Sequence, residues 1–175
     1  MNIKVLGIDY GKKRIGLAIS VPGTSFAVGY KILEMDSSGI FGLIEKIKAI
    51  VTKEQVRSII LGFPRQLDNK VGPAGREVMQ FADELRKALN ESQASGQDPD
   101  LKNKGNIEIP VLLWDERLTS KQAEMLLRDV SMSHKDKRQQ INITAAQVML
   151  QSYLDAQASR TLADEPLSEQ PDETN

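Results

Sequence analysis

The stretch Gly7-Ile8-Asp9-Tyr10-Gly11-Lys12-Lys13-Arg14-Ile15-Gly16 joins two apolar runs through a glycine-bearing turn, and its reading decides the fold. On its N-terminal side, Ile3 to Ile8 is an apolar run of strand length. On its C-terminal side, Arg14 to Ser20 is a second strand and Ala27 to Glu34 a third. Strands so closely spaced pair as antiparallel hairpins. Asp9 ends the first strand, and glycine beside it lets a phosphate or another strand approach closely. Two readings stand side by side: a hairpin turn in which Asp9 bonds locally, and an acid held at a strand end for chemistry.

Beyond Glu34 the apolar period lengthens. Ile40, Leu43, Ile44, Ile47, Ile50 and Val51 recur at helical spacing, which predicts a crossover helix over Ile40–Val51 with one face on a sheet. Ser58–Gly62 (SIILG) is a β-branched run of strand length. Pro73 suits a first helical turn, where its missing N–H is not needed, and Val78, Phe81, Ala82, Leu85 and Leu89 line one side of a helix over Pro73–Leu89. Asn90–Asn106 holds a single aliphatic side chain larger than alanine, Leu101, and reads as a mobile surface loop. Ile107–Trp114 reads as a strand. Thr119 and Gln122 form a T-x-x-Q capping box opening a helix to about Val130, and Ser131–Gln140 is a polar, basic break. The last helix spans Asn142–Gln157, with Ala145, Ala146, Met149, Tyr153 and Leu154 along one stripe.

The order βββαβαβαα predicts an α/β fold. Its mixed central sheet has three N-terminal antiparallel strands, then alternating helices and strands, with helices on both faces. One domain over residues 1–157 is expected, carrying the mobile loop 90–106 and followed by an acidic disordered tail over 158–175.

Composition narrows the chemistry. At 175 residues, with 40% apolar and 27% charged side chains, the chain has an ordinary soluble balance. No apolar run approaches the roughly 20 residues that span a bilayer, and the first residues lack a signal-peptide pattern, so a cytoplasmic location without membrane association is expected. Cysteine is absent and His134 is the only histidine, which excludes thiolate and histidine-rich metal sites. Five acids and no Lys or Arg lie between Thr161 and Asn175; removing those five from a net charge of −1 leaves +4. A mildly basic body permits a nucleic-acid partner without requiring one.

A second acidic signal, Trp114-Asp115-Glu116-Arg117, ends a predicted strand. Adjacent acids are costly unless paired or metal-bound, and Arg117 could equally be their ion-pair partner. Ligands of α/β proteins gather outside the carboxyl ends of strands, where Asp9 and the Asp115/Glu116 pair both lie. Oxygen donors without thiolate or imidazole suit Mg²⁺ or Mn²⁺, and two such ions about 4 Å apart serve phosphodiester hydrolysis.

Taken together, GIDYGKKRIGLA at 7–18, Gly62-Phe63-Pro64, Gly72 with the helix after it, WDERLTS at 114–120 and ITAAQVMLQSYL at 143–154 resemble the YqgF (RuvX-like) family in order and spacing, across residues 3 to 157. The resemblance implies an RNase H-like fold, a likeness to resolvases of the RuvC type, and a part in maturing the 5′ end of 16S rRNA during ribosome biogenesis. It also implies three acids: Asp9, Glu116 with Asp115 beside it, and one at the start of the last helix. There the family typically reads V-D-x-x-A-A, whereas this chain reads Ile141-Asn142-Ile143-Thr144-Ala145-Ala146. Asn142 keeps a carbonyl oxygen but lacks the charge that holds a divalent ion. Its structural reading is a helix N-cap, a position where Asn and Asp are nearly equivalent. Asp129 and Asp136 are the nearest substitute acids, with little support from spacing.

The basic residues have paired readings too. His134, Lys135, Lys137 and Arg138 could contact phosphates at the site's edge or form a solvated loop. The resemblance adds a parallel for His134, because RNase H enzymes carry a mobile histidine before the last acid that assists product release. Lys12, Lys13, Arg14, Arg65 and Arg76 flank the glycine motifs, either as a phosphate-facing rim or as ordinary surface charge.

The activity implied is a Mg²⁺- or Mn²⁺-dependent endonuclease acting on RNA, with precursor 16S rRNA in the pre-ribosome as partner. The alternatives are a Holliday junction resolvase on branched DNA, and a nucleic-acid-binding ribosome-assembly factor whose catalysis is impaired at Asn142. An ATP-binding fold of the sugar-kinase type would need two such domains around a cleft. Monomer and homodimer both fit the sequence.

Overall fold

The computed structural model describes residues 3–64, 70–94, 108–115, 125 and 134–163. Three strands open the fold: β1 (Lys4–Tyr10), β2 (Arg14–Ser20) and β3 (Ala27–Glu34). They form antiparallel hairpins, with Asp9 opposite Gly16 and Ser20 opposite Ala27. Helix α1 (Gly39–Glu54) then crosses over and ends on Gln55 in the left-handed conformation (φ 55°), whose backbone N–H returns to the Thr52 and Val51 carbonyls. The crossover lays β4 (Val56–Phe63) parallel to β1. After α2 (Pro73–Ala94), β5 (Val111–Asp115) adds parallel to β4, giving a five-stranded sheet of order β3-β2-β1-β4-β5. The last helix, α3, runs from His134 to Ala163.

Strand alternation divides the core into two layers. Leu6, Ile8, Ile15, Leu17, Ile59 and Leu61 face α1 and α2, where they meet Ile47, Phe81 and Leu85. Val5, Ala18, Ala27 and Ile60 face the other way, onto Ala146, Met149 and Leu150 of α3. The helices-on-both-faces expectation is met.

Four boundaries differ from the sequence reading by four residues or more, each for an identifiable reason. Asn90–Ala94, read as the start of a loop, continue α2, since no glycine or proline intervenes before Gly96. The strand read from Ile107 begins at Val111; Pro110 before it has no N–H, and its carbonyl accepts from Ile59 N at 2.9 Å. His134–Gln140, read as a break, and Ala158–Ala163, read as tail, are both helical. Polarity suggested an interruption, but Lys, Arg and Gln are good helix formers and nothing there breaks a helix. The helix expected over Thr119–Val130 lies outside the described residues except Met125, which is helical and exposed. The remainder of loop 90–106 and of the tail lies outside them as well. Among the described residues, no helix is long and apolar enough to cross a membrane.

Candidate active site

Glycine lets α3 reach the sheet. A Cβ placed at Gly7 would stand 2.8 Å from Leu150 Cβ and 3.4 Å from the Ala146 carbonyl oxygen. At Gly16 it would collide with the Asn142 carbonyl, and at Gly29 with Ile143 Cγ2. Any side chain in this groove would lift the helix.

That close approach assembles the site. Asp9 is the Cα partner of Gly16, and Gly16 carries the backbone of Asn142 directly above it. Alternation puts Asp9 on the same face as Val5 and Gly7, the face α3 covers. Asn142 falls on the α3 stripe of Ala145, Ala146 and Met149, by its three- and four-residue spacing. The Asp9 carboxylate at the carboxyl end of β1 and Asn142 on α3 therefore lie on the same face around the notch at Gly16, both half-buried. Asn142 is not the helix N-cap expected from sequence, because α3 begins eight residues earlier and leaves it inside the helix.

Asp115 lies elsewhere. It is the partner of Phe63, a residue of the α1–α2 layer, whereas Trp114 before it packs against the α3 layer. The pleat thus starts Asp9 and Asp115 from opposite faces of the sheet. Glu116 and Arg117 lie outside the described residues. A contact that sequence reasoning missed is that of Trp114 of β5, edge-to-face on Tyr153 of α3 with ring centroids 5.3 Å apart. Only the third dimension pairs residues so distant in sequence.

The basic residues separate by surroundings. Lys12, in the exposed β1–β2 turn, donates to Glu77 Oε1 of α2 at 2.8 Å, and that bond raises its ammonium pKa. Its neighbour Tyr10 stacks on Phe81 with centroids 4.6 Å apart, and burial, then Glu77, pushes its hydroxyl up. Both contacts tie the turn to α2, on the side away from α3. Arg14 has the parity of Gly16, hence the face of Asp9, with Glu34 at 3.6 Å. Lys13 is exposed, and Arg76 donates to the Val71 carbonyl at 3.2 Å in the first turn of α2. Arg65 lies outside the described residues. His134, Lys135, Lys137 and Arg138 lie in the opening turns of α3, not in a loop.

Chemically, the notch offers one carboxylate and one amide oxygen, with no cysteine in the chain. Such donors fit a hard divalent cation such as Mg²⁺ or Mn²⁺ rather than a softer metal. Among the described residues no three Asp, Glu, His or Cys side chains cluster to hold an ion, so a further ligand is required.

A family model described as RuvX, Holliday junction resolvase, matches residues 3–156. A candidate pre-16S rRNA nuclease of Caldanaerobacter subterraneus subsp. tengcongensis is 36% identical over 159 residues, which covers 89% of this chain and 98% of that protein. Its counterpart from Thermoanaerobacter pseudethanolicus is 31% identical, covering 90% and 100% respectively. Among solved structures, RuvC of Thermus thermophilus is similar in fold, with a TM-score of 0.50 at 12% identity over 90% of this chain and 97% of that one.

Proposed function

Since the chain belongs to the RuvX family and has an RNase H-like α/β fold, we propose that it is a Mg²⁺- or Mn²⁺-dependent endonuclease that processes the 5′ end of precursor 16S rRNA. The observation that carries this reading is the notch itself: Asp9 at the end of β1, paired with the Gly16 on which Asn142 is seated, at the strand-end edge where α/β folds bind ligands. RNA is preferred over branched DNA because the relatives matching nearly the whole chain carry the pre-16S rRNA designation.

Asp9, Glu116 and Asn142 are the residues that would hold the ion. Glu116 is assigned from the family resemblance, as the acid that follows Asp115 in the WDERLTS stretch. When bound, a divalent ion supplies activation of water and stabilisation of the leaving oxygen in phosphodiester hydrolysis. Asp9 contributes charge at a position β1 holds rigidly, and Asn142 contributes a neutral oxygen. Arg14, on the same face, attracts the phosphate backbone, joined by Lys13, Arg65, Arg76 and the basic opening of α3.

Asn142 favours one second reading: a nucleic-acid-binding assembly factor in which the missing charge has disabled catalysis. The test offers a precursor 16S rRNA fragment and a four-way DNA junction to wild type, Asp9→Asn and Asn142→Asp, with Mg²⁺ or Mn²⁺. The nuclease reading expects cleavage of the RNA, loss in Asp9→Asn and a gain in Asn142→Asp. Cleavage of the junction alone would sink the RNA assignment, and an Asp9→Asn variant that cuts as well as wild type would sink the site. RNA binding without cleavage by the natural chain, with activity in Asn142→Asp, is the outcome for the second reading.

A further inference from the structure

Helix α3 is tied to the sheet by more than its apolar stripe. The side-chain oxygen of Gln151 accepts from the Ala27 backbone N–H at 2.8 Å, and its Nε2 donates to the Ser25 carbonyl at 2.7 Å. One turn earlier, Gln147 Nε2 donates to the Ala27 carbonyl at 3.0 Å. Gln151 Nε2 also reaches Asp155 Oδ1 at 2.8 Å, which steadies its amide plane. Ala27 opens β3, an outer strand of the sheet. Both its backbone groups are engaged by helix side chains, where a neighbouring strand would otherwise pair.

Apolar packing is non-directional and lets a helix slide along a smooth groove. Amide hydrogen bonds weaken steeply with misalignment, so three of them on three consecutive peptide units fix both translation and rotation of α3. The helix is stiff over the short distance to the site: Gln147 follows Asn142 by five residues, and Ile143 between them seats on Gly29. A shift of the latch is therefore passed on to Asn142. The two glutamines also lie on the β3 flank, opposite the Trp114–Tyr153 contact, so the helix is gripped from both sides.

We propose that Gln147 and Gln151 are positioning residues for the Asp9 site, holding α3 in the register that keeps Asn142 seated over Gly16, the strand partner of Asp9. The inference deepens the nuclease reading and rests on it for its catalytic consequence. The test is a Gln147→Met, Gln151→Met double variant of the full chain, which keeps side-chain length and helix propensity while removing both amides. Three quantities are measured: hydrogen exchange over residues 140–146, free Mn²⁺ by electron paramagnetic resonance, and cleavage of a precursor 16S rRNA fragment across Mn²⁺ concentrations. Exchange over 140–146 should quicken, and half-occupancy should need about threefold more Mn²⁺ or higher, the order expected for lost hydrogen bonds. Cleavage should recover at saturating Mn²⁺. In an Asn142→Ala background the same pair should cost no further Mn²⁺ affinity.

Unchanged exchange over 140–146, or unchanged Mn²⁺ affinity beside a lowered melting temperature, overturns the proposal and leaves the glutamines as protectors of the strand edge. If the double variant fails to fold, Gln147→Met alone, which removes one of the three bonds, decides by the same readouts. A wild-type protein that binds Mn²⁺ but cuts neither substrate refutes the nuclease reading alone; exchange and Mn²⁺ binding then decide the latch.

Discussion

Replacing Gly16 by alanine adds one methyl group where the sheet meets α3. The new Cβ would collide with the Asn142 carbonyl, whereas carbon–carbon contacts are optimal near 3.5–4.0 Å and carbon–oxygen contacts only slightly shorter. Helix α3 must then retreat by about 1 Å or more at that point, since β2 is held on both sides by β1 and β3. Overpacking of this kind costs about 1–3 kcal/mol. For a domain of this size that lowers the melting temperature by roughly 2–12 °C. The functional loss should be larger, because a misplacement of about 1 Å costs on the order of 100-fold in rate. Gly7→Ala is the comparison. Its Cβ meets Leu150 at 2.8 Å, two turns along α3 from Asn142, so it should destabilise comparably while sparing more activity. Thermal unfolding followed by circular dichroism, beside cleavage at saturating Mn²⁺, reads both effects. A Gly16→Ala protein with wild-type melting and wild-type cleavage would refute the reasoning, since the helix would then not be seated on that glycine.

Asp9→Asn should lower cleavage by more than the 10- to 100-fold typical of residues that only support a metal ligand; initial rates on the RNA fragment test this. Asn142→Asp should lower the Mn²⁺ concentration for half-maximal activity roughly tenfold, because a full charge at a half-buried position is worth several kcal/mol before desolvation; a Mn²⁺ titration checks it. Phe81 is fully buried against Tyr10, so Phe81→Ala should cost about 3–5 kcal/mol, read from urea unfolding midpoints. The Lys4 ammonium at 2.9 Å, then the Tyr30 hydroxyl at 3.0 Å, hold the Glu54 carboxyl below its ordinary pKa. Its folded value being depressed, Glu54 stabilises the protein above about pH 4.3 and loses that contribution as pH falls toward the folded value. Glu54→Gln should therefore flatten the acid limb of a melting-temperature profile below about pH 5, and an unchanged limb would show that the pair contributes nothing.

The residues most legible in the sequence were those governed by local rules. Ile40 to Val51 repeats at helical spacing and forms α1; Arg14–Ser20 and Ala27–Glu34 form strands with the bounds read for them. Boundaries set by competition were harder. His134–Gln140 looked like a break because it is polar, yet its helix is carried by good formers and by the packing of the turns that follow. The strand-end acids were found as residue types, but the pairing of Asp115 with Phe63 puts Asp115 on the face opposite Asp9, a consequence of pleat parity that becomes usable only once register is known.

By itself the sequence determined the α/β class, the strand and helix order, the family resemblance, and the presence of Asn142 where the family carries an acid, because periodicity and residue identity are local properties. Only the tertiary structure decided that Gly7, Gly16 and Gly29 make one bed for α3, that Gln147 and Gln151 close the β3 edge, and that Asn142 sits inside a helix above Gly16, the partner of Asp9, rather than capping one. Those relations join residues more than a hundred positions apart, and they exist only where the sheet's register brings backbone against backbone.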